Sequence, residues 1–254
     1  MKKLLLLSIL GGMTLAAHAQ ILFSDDFESD TIGTVPAAWG QSTTGTLSST
    51  YVVEDTGNIF GTSNQMLDFY DNGGSASLLQ NLGGMDGELV GFSFDFYEPD
   101  SLNDAMSIGI TPTNADINND AAARFNLDNG SISFSTSGVS TGPFTSYNLE
   151  TAYRIHLIAN DTGAAQSIYS ETLADREYGI WFEDLGSSSM NYAGRATMKS
   201  GTTLGRIGFR TFSSPSQQAY LDNVEVSVIP EPSSLALIGL GLAGAAFLRR
   251  RRRA

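Results

Sequence analysis

Polar and apolar residues alternate along much of the chain, and the alternation has a period of two residues. In residues 88–98, ELVGFSFDFYE, three phenylalanines occupy every second position and polar residues or a tyrosine fill the others. This period is typical of a β-strand with one buried face, because successive side chains point to opposite sides. Nine further stretches show it: MLDFY (66–70), SASLLQNL (75–82), AMSIGIT (105–111), SISFS (131–135), YRIHLIA (153–159), QSIYSE (166–171), YGIWFED (178–184), GRIGFRTF (205–212) and AYLDNVEVSV (219–228).

Short clusters of turn residues separate these stretches. DNGG, LGGMDG, LDNG, NDTG and SSPS consist largely of residues that suit tight turns. Only residues 116–128, DINNDAAARFNLD, could hold a helical turn, and the polar residues 41–50 are predicted as a surface loop. Many short strands without an internal repeat or a long linker predict one all-β domain over residues 20–228. The expected fold is an antiparallel two-sheet β-sandwich of the jelly-roll type.

The N-terminal residues have the three parts of a secretory signal peptide. A basic start at residues 2–3 precedes an apolar run at residues 4–15, and residues 17–19, Ala-His-Ala, supply the small residues of a cleavage site. A transmembrane anchor is the alternative, but the apolar run is too short for one. We therefore predict that signal peptidase removes residues 1–19 and that the mature chain begins at Gln20.

The C-terminal residues form a second three-part segment. Pro230, Glu231 and Pro232 come first, and an uncharged apolar run follows at residues 235–248. The basic cluster after it consists of Arg249, Arg250, Arg251, Arg252 and Arg253. As a helix, this run would rise by roughly 21 Å, less than the roughly 30 Å hydrocarbon core of a bilayer. Because basic flanks stay on the cytoplasmic side, the segment predicts a transient insertion into the inner membrane.

This order of Pro-Glu-Pro, short apolar helix and terminal arginines resembles the PEP-CTERM sorting signal of Gram-negative bacteria. The resemblance covers residues 229–254. It implies that an exosortase, a transpeptidase-like membrane enzyme, recognises and processes the tail, and that the protein goes to the cell surface or the exopolysaccharide matrix. An ordinary C-terminal membrane anchor is the alternative.

Outside the two signals the chain is strongly acidic. The complete sequence of 254 residues has a net charge of −13, but residues 20–228 contain 7 basic and 26 acidic residues, a net charge of −19. Such a surface repels nucleic acid and attracts cations, so we expect no nucleic-acid partner. The chain has no cysteine, which excludes disulfides and thiolate chemistry.

The two ends of the acidic region carry a second resemblance. Residues 21–39, ILFSDDFESDTIGTVPAAW, and residues 219–228, AYLDNVEVSV, are similar to the terminal strands of concanavalin/laminin-G-like jelly rolls. A similar pair of ends occurs in galactose-binding-like carbohydrate-binding modules. Those modules are shorter, so the length of residues 20–228 favours the concanavalin-like form.

Asp222 has the parity of apolar residues in the last predicted strand, where it alternates in phase with Tyr220 and three valines. A buried carboxylate must be paired, protonated or bound to a cation. In jelly rolls of the kind resembled here, the first and last strands often share a structural Ca²⁺. The resemblance therefore implies a Ca²⁺ ion held by Asp222 with Asp26 or Glu28, and oxygen ligands suit this ion. The alternatives are an aspartate that caps a turn and a bulge that shifts the parity.

Three aromatic residues, Trp39, Tyr97 and Trp181, are candidates to stack on sugar rings. Trp181 shares its parity with Gly179 and Glu183, which predicts an exposed position on the sheet. The alternative is that these rings fill the core, as most aromatic residues of a sandwich do.

No catalytic motif is found in the sequence. His156 is the one histidine left after signal removal, and no Gly-x-Ser-x-Gly nucleophile elbow accompanies it. The Glu-x-Asp-x-x-Glu pattern of laminarinase-type enzymes and a phosphate-binding loop are absent. Residues 116–127 begin like an EF-hand but lack its glycine and final glutamate.

These observations predict a non-catalytic protein exported to the cell surface or extracellular matrix of a Gram-negative bacterium. We expect it to serve as a matrix component of biofilm, as an adhesin or as a glycan-binding protein. The alternatives are a polysaccharide hydrolase or lyase on the same fold, and a purely structural surface protein.

Overall fold

Short antiparallel strands make up nearly all of the regular structure. The computed structural model describes residues 19–44, 49–61, 65–99, 105–136, 139–211 and 217–230. The strands are β1 (Gln20–Asp25), β2 (Gly40–Thr44), β3 (Ser49–Glu54), β4 (Gln65–Asp71), β5 (Ser75–Asn81), β6 (Leu89–Tyr97), β7 (Ala105–Thr111), β8 (Ala123–Asp128), β9 (Ser131–Thr136), β10 (Val139–Ser146), β11 (Tyr153–Asn160), β12 (Gln166–Ile168), β13 (Glu171–Leu173), β14 (Glu177–Asp184), β15 (Ser189–Thr197), β16 (Arg206–Thr211) and β17 (Gln217–Val228). One helix of four residues, α1 (Ile117–Asp120), precedes β8.

The strands form two large sheets and one small one. The first sheet has eight strands in the order β15-β14-β11-β6-β17-β4-β3, with β1 also paired to β17. The second sheet has seven strands in the order β10-β9-β8-β7-β16-β5-β2, and β12 with β13 forms a separate hairpin. Neighbouring strands pair antiparallel throughout the described sheets, for example at β6 with β11 and β16 with β7. The predicted antiparallel two-sheet sandwich is therefore confirmed.

Phenylalanine rings fill the space between the two sheets. Phe92, Phe94 and Phe96 of β6 are at most 1% exposed, as their alternation predicts. Phe209 of the second sheet packs between Phe92 and Phe94, with ring centroids 5.6 and 5.0 Å away. Each such ring removes a large apolar area from water, and this burial is the main favourable term in folding.

The long strand β17 holds the first sheet together. One edge pairs with β6, while the other edge pairs with β4 over its first half and with β1 over its second half. A bulge between Asp222 and Glu225 interrupts the β6 register, and Asn223 has the left-handed φ of 47°. The bulge moves the inward position from Leu221 to Val224, so the parity prediction for Asp222 was wrong.

The predicted and observed strands differ mainly where the sequence lacks apolar alternation. Residues 41–50, predicted as a loop, contain most of β2, a polar strand, and the start of β3. Residues 116–128 hold the predicted helical turn, α1, and then β8, which was missed. Asp116 caps α1 by accepting a hydrogen bond from the Asn118 amide, 2.7 Å away. The stretch 166–171, predicted as one strand, is the β12–β13 hairpin.

Residues Gln20–Ile229 form one compact unit. The other unit comprises Met1–Ala19 and Pro230–Ala254, of which only Ala19 and Pro230 are described. The predicted signal peptide before Ala19, the rest of the Pro-Glu-Pro motif, the apolar run and the arginine cluster lie outside the described residues. Among the residues that are described, no helix is long and apolar enough to cross a membrane.

Candidate functional site

The outer face of the first sheet carries a continuous row of polar and aromatic side chains across six strands. Each member lies directly opposite the next in the strand register. From β1 to β15 this outer row consists of Ser24, Glu225, Ser93, His156, Trp181 and Tyr192. Opposite residues of antiparallel strands point to the same side with Cβ atoms about 4.5–5.5 Å apart, so the outer row is a strip of adjoining side chains.

A second row of charged side chains runs beside the outer row. This charged row consists of Asp222, Asp95, Arg154 and Glu183 on β17, β6, β11 and β14. On three of these strands it lies two residues from the outer row. On β17 the bulge makes the separation three residues, from Glu225 to Asp222, and this places Asp222 opposite Asp95.

Arg154 neutralises the negative charge of the buried carboxylate of Asp95. Its Nε donates to Asp95 Oδ1 at 2.7 Å and its Nη2 donates to Oδ2 at 2.9 Å. The Asn223 side-chain amide also donates to Asp95 Oδ2, at 2.9 Å. The hydrogen bond that Arg154 donates to Asp95 raises the pKa of the guanidinium, which is therefore always charged. This bidentate pair is a rigid, charge-assisted contact in the middle of the outer face.

Asn223 also donates hydrogen bonds to the second buried carboxylate, Asp222. Asp222 is fully buried, and its Oδ1 accepts from the Asn223 backbone amide at 2.7 Å. Its Oδ2 accepts from the Asn223 side-chain amide at 3.2 Å. The bulge thus gives both carboxylates of β17 and β6 a common donor, which explains why an asparagine occupies the left-handed position.

The three predicted calcium ligands do not form one cluster. Asp26 is exposed, Asp222 is buried against Asn223, and Glu28 accepts from the Gln65 backbone amide at 2.9 Å. Among the described residues, no group of three or more His, Cys, Asp or Glu side chains could hold a metal ion. The three carboxylates therefore do not provide a ready cluster for the ion, and Ca²⁺ held by Asp222 with Asp26 or Glu28 stays a prediction.

Two cavities open along these rows, and both include Arg154 and Asn223. The first has a volume of about 560 Å³ and extends from β1 to β11 over the outer row. Its polar lining includes Ser24, Asp26, Ser93, Arg154, His156, Asn223 and Glu225. The second has a volume of about 680 Å³ and lies over the charged row, between Asn58 and Asp184. Together they present hydroxyl, amide, carboxylate and guanidinium groups on one face of the sheet.

His156 lies at the boundary between the first cavity and the aromatic end of the outer row. Burial lowers the pKa of His156, and the positive charge of Arg154 lowers it further, so the imidazole is neutral at pH 7. Its Nε2 is buried and has no hydrogen-bond partner among the described residues.

Trp181 lies on the outer face, as its parity predicts, but it is only 1% exposed. The β12–β13 hairpin covers it, and Trp181 forms a second apolar cluster with Ile168 and Leu173 of that hairpin. The Nε1 of Trp181 is buried without a hydrogen-bond partner in the described structure. The predicted exposure of Trp181 was therefore wrong, because a segment that follows β11 folds over it.

The other two aromatic candidates have different surroundings. Trp39 is 7% exposed, packs edge-on against Phe23 at 5.2 Å and donates from Nε1 to Asp25 Oδ2 at 2.8 Å. It belongs to the core, and its interpretation as a sugar platform was wrong. Tyr97 is half-buried beside Tyr220, with ring centroids 6.1 Å apart, and its role in sugar binding stays a prediction.

One aromatic residue that the sequence did not single out stands beside the first cavity. Tyr169 is 62% exposed at the tip of the β12–β13 hairpin. Its ring centroid lies 5.5 Å from that of Trp181 and 6.4 Å from that of His156. No local pattern indicated Tyr169, because the turn has no glycine, asparagine, aspartate or proline to interrupt the stretch 166–171.

Residues 228–253 match the family described as the PEP-CTERM protein-sorting motif. The chain carries a PEP-CTERM sorting motif. The PEP-CTERM motif indicates a secreted protein that is sorted to the cell envelope or surface, and it implies processing by an exosortase. No curated protein is detectably similar to the chain in sequence.

Solved structures similar to this PEP-CTERM protein share its sandwich at low sequence identity. Basic winged bean lectin with Tn-antigen has a TM-score of 0.53 and 7% identity, covering 83% of this chain and 98% of the lectin. The globular domain of T. cruzi calreticulin has a TM-score of 0.53 and 11% identity, with 92% and 99% covered. The glycoside hydrolase family 131 catalytic domain from Coprinopsis cinerea has a TM-score of 0.52 and 10% identity, with 84% and 96% covered. These likenesses show a concanavalin-like jelly-roll fold.

Proposed function

We propose that this exported protein is a non-catalytic glycan-binding component of the cell surface or exopolysaccharide matrix. The observation that carries the proposal is the first cavity, which lies along the outer row and ends at aromatic rings. Sugar rings offer hydroxyl groups that exchange hydrogen bonds with polar side chains and C–H faces that pack on aromatic rings. The outer row supplies the polar groups and the imidazole of His156, and the exposed aromatic ring of Tyr169 lies beside that imidazole.

The charge of the domain narrows the class of glycan. With a net charge of −19 over residues 20–228, the surface repels anionic polysaccharides. The cavity itself contains Asp26 and Glu225 beside the single guanidinium of Arg154. We therefore propose neutral glycans as the ligands.

The surroundings of the carboxylates support binding in preference to hydrolysis. A glycosidase needs one carboxylic acid and a second carboxylate about 5–9.5 Å apart, both free to act on the substrate. Asp95 is paired with Arg154, and Asp184 accepts from the Gly186 and Ser187 backbone amides. Of the three carboxylates that line the first cavity, Asp25 accepts from Trp39 and Asp26 accepts from the Glu28 backbone amide, so Glu225 has no second unengaged carboxylate beside it in that lining. A lectin and a hydrolase both share this fold, so the fold alone does not distinguish glycan binding from hydrolysis. The proposal therefore rests on the site.

A glycan array tests the proposal directly. The exported protein should bind neutral glycans, and Glu225→Ala should weaken binding by about 10- to 100-fold, because a hydrogen bond to a charged group contributes about 1.5–3 kcal/mol. Glu54→Ala is the matched control, since Glu54 is exposed at the end of β3 and outside both cavities. The array should be run with and without chelator, which also tests for calcium.

Two results would contradict the proposal. Binding that is indifferent to Glu225→Ala would place the glycan elsewhere on the molecule. Release of reducing sugar from a bound polysaccharide would instead favour the alternative of a hydrolase.

A further inference from the structure

The turn that joins β12 and β13 has an unusual residue at its tip. Ile168 pairs with Glu171, so the loop consists of two residues, Tyr169 and Ser170. Tyr169 has a φ of 51°, whereas Ser170 does not have a positive φ. A positive φ at the first central position alone is the pattern of a type II′ turn, in which glycine is preferred at that position.

A tyrosine at this position is unfavourable for the hairpin. A side chain with a Cβ atom is strained in the left-handed region, and a bulky ring gives the turn no compensating benefit. The ring is also 62% exposed, so burial offsets little of the strain. A residue held in such a conformation at a surface is a common sign of function.

The ring of Tyr169 lies beside the aromatic part of the outer row. Tyr169 touches two of the three aromatic members of the outer row, with its ring edge-on to Trp181 and to His156. His156 lines the first cavity, and the negative charge of Glu183 acts on the Tyr169 hydroxyl. The exposed ring therefore stands beside the β11 end of the first cavity, next to His156, on the side that faces β14.

We propose that Tyr169 is the aromatic platform of the glycan site. The free face of its ring packs on the C–H face of a neutral pyranose, while hydroxyls of the glycan reach His156, Ser93 and Glu225 along the outer row. This inference rests on the proposed glycan-binding function and adds the residue that selects a ring-shaped ligand. It also gives the glycan a direction, across the strands from β14 toward β1.

Affinity electrophoresis of the exported protein in gels containing mixed-linkage β-glucan, galactomannan or dextran tests this platform. Tyr169→Ala should weaken binding by about tenfold, or about 1.4 kcal/mol, since the variant loses the packing of the aromatic ring on the sugar. Tyr169→Gly should weaken binding equally while suiting the turn, so a misfolded hairpin could not explain the loss. Tyr169→Phe keeps the ring face and should bind like the unaltered protein.

Tyr51→Ala is the matched control, because Tyr51 is 44% exposed on β3, away from the first cavity. Loss in the Ala and Gly variants with retention in Phe and in the control supports the platform. Undiminished binding by Tyr169→Ala, or equal loss in Tyr169→Phe, overturns the platform and leaves glycan binding intact. Absence of binding to all three polysaccharides by the unaltered protein overturns both the proposed function and the platform.

Discussion

His156 shows how a single residue of the outer face links stability to pH. Burial and the charge of Arg154 lower its pKa in the folded protein, while Glu183 and Asp95 act in the opposite direction with smaller effect. In the unfolded chain its pKa is the ordinary value of about 6.5. Between the lowered folded pKa and 6.5, the unfolded state therefore binds more protons than the folded state.

This difference predicts that stability falls as pH decreases through the range just below 6.5. His156→Gln removes the titration, so its melting temperature should decrease less between pH 7 and pH 5 than that of the unaltered protein. A change of 1 kcal/mol corresponds to about 2–4 °C for a domain of this size, which thermal unfolding can measure. Burial raises the pKa of Asp25, Asp68 and Glu98. These carboxyl groups change the stability with pH in the opposite direction to His156, and their effect is the same in the variant and in the unaltered protein. Parallel pH profiles of the two proteins would contradict the account of His156.

At the scale of elements, the β12–β13 hairpin depends on one asparagine. The Asn160 side-chain amide donates to the carbonyl oxygens of Ala164, Leu173 and Ala174 at 2.7, 3.0 and 3.0 Å. A two-stranded hairpin of three residues per strand is marginal by itself. Buried polar atoms of His156 and Trp181 are unpaired beneath it, which costs further stability. The hairpin that covers Trp181 is therefore held mainly by the hydrogen bonds of Asn160 next to its two strands.

We expect Asn160→Ala to loosen the hairpin without unfolding the sheets. Backbone amides of residues 164–174 should exchange hydrogen faster, because three carbonyls lose their common donor, while β11 and β14 stay protected. Asn191→Ala is a suitable control, since Asn191 is exposed and donates only locally, to the Ser189 carbonyl. Unchanged exchange in the hairpin would show that its apolar contacts suffice.

The elements that were predicted best are those whose buried residues follow from the local sequence pattern. The strand β6 was predictable because Phe92, Phe94 and Phe96 alternate on a sheet with one inner face. The face of the sheet that carries Trp181 was predictable, but the exposure of Trp181 depends on a hairpin whose turn, Tyr169–Ser170, has no glycine, proline, asparagine or aspartate. The parity of Asp222 failed because a single left-handed residue, Asn223, shifts the inward positions of β17 by one.

The candidate site was less predictable than the fold for a physical reason. The outer row joins residues from six strands that are far apart in sequence, such as Ser93 and Glu225, and no local pattern records which strands are neighbours. Of the six candidate residues for calcium and glycan, only Asp26 lines the first cavity, while Asp222 contributes through its neighbour Asn223. The residues of the sorting signal could be identified because they act as a continuous segment.

At the scale of the whole molecule, the folded domain leads directly into the sorting motif. The Ile229 backbone amide donates to the Leu89 carbonyl at 2.8 Å, and Pro230 follows at once. Proline has no backbone amide to donate to a strand, so the sheet ends where the motif begins. Among the described residues, Ile229 is thus hydrogen-bonded to the sheet and directly precedes Pro230.

Replacing Pro230, Glu231 and Pro232 with alanine should therefore block sorting without changing the domain. In a host with an exosortase, we expect the variant to accumulate unprocessed in the inner membrane, as measured by fractionation and mass. The unaltered protein in a host that lacks the enzyme should behave in the same way. Normal delivery of the variant to the surface would mean that other residues of the tail direct sorting.

The central position of β17 also determines how the domain responds to force. A pull on residue 230 loads β17 along its own axis, with β6 on one edge and β4 and β1 on the other. The hydrogen bonds of these antiparallel ladders lie perpendicular to that pull, so many must break together. A pull between Gln20 and Val228, which are paired, would instead open the β1–β17 ladder one bond at a time. The domain should therefore resist a pull on residue 230 along β17, against the rest of the sheet, far better than a pull that separates Gln20 from Val228.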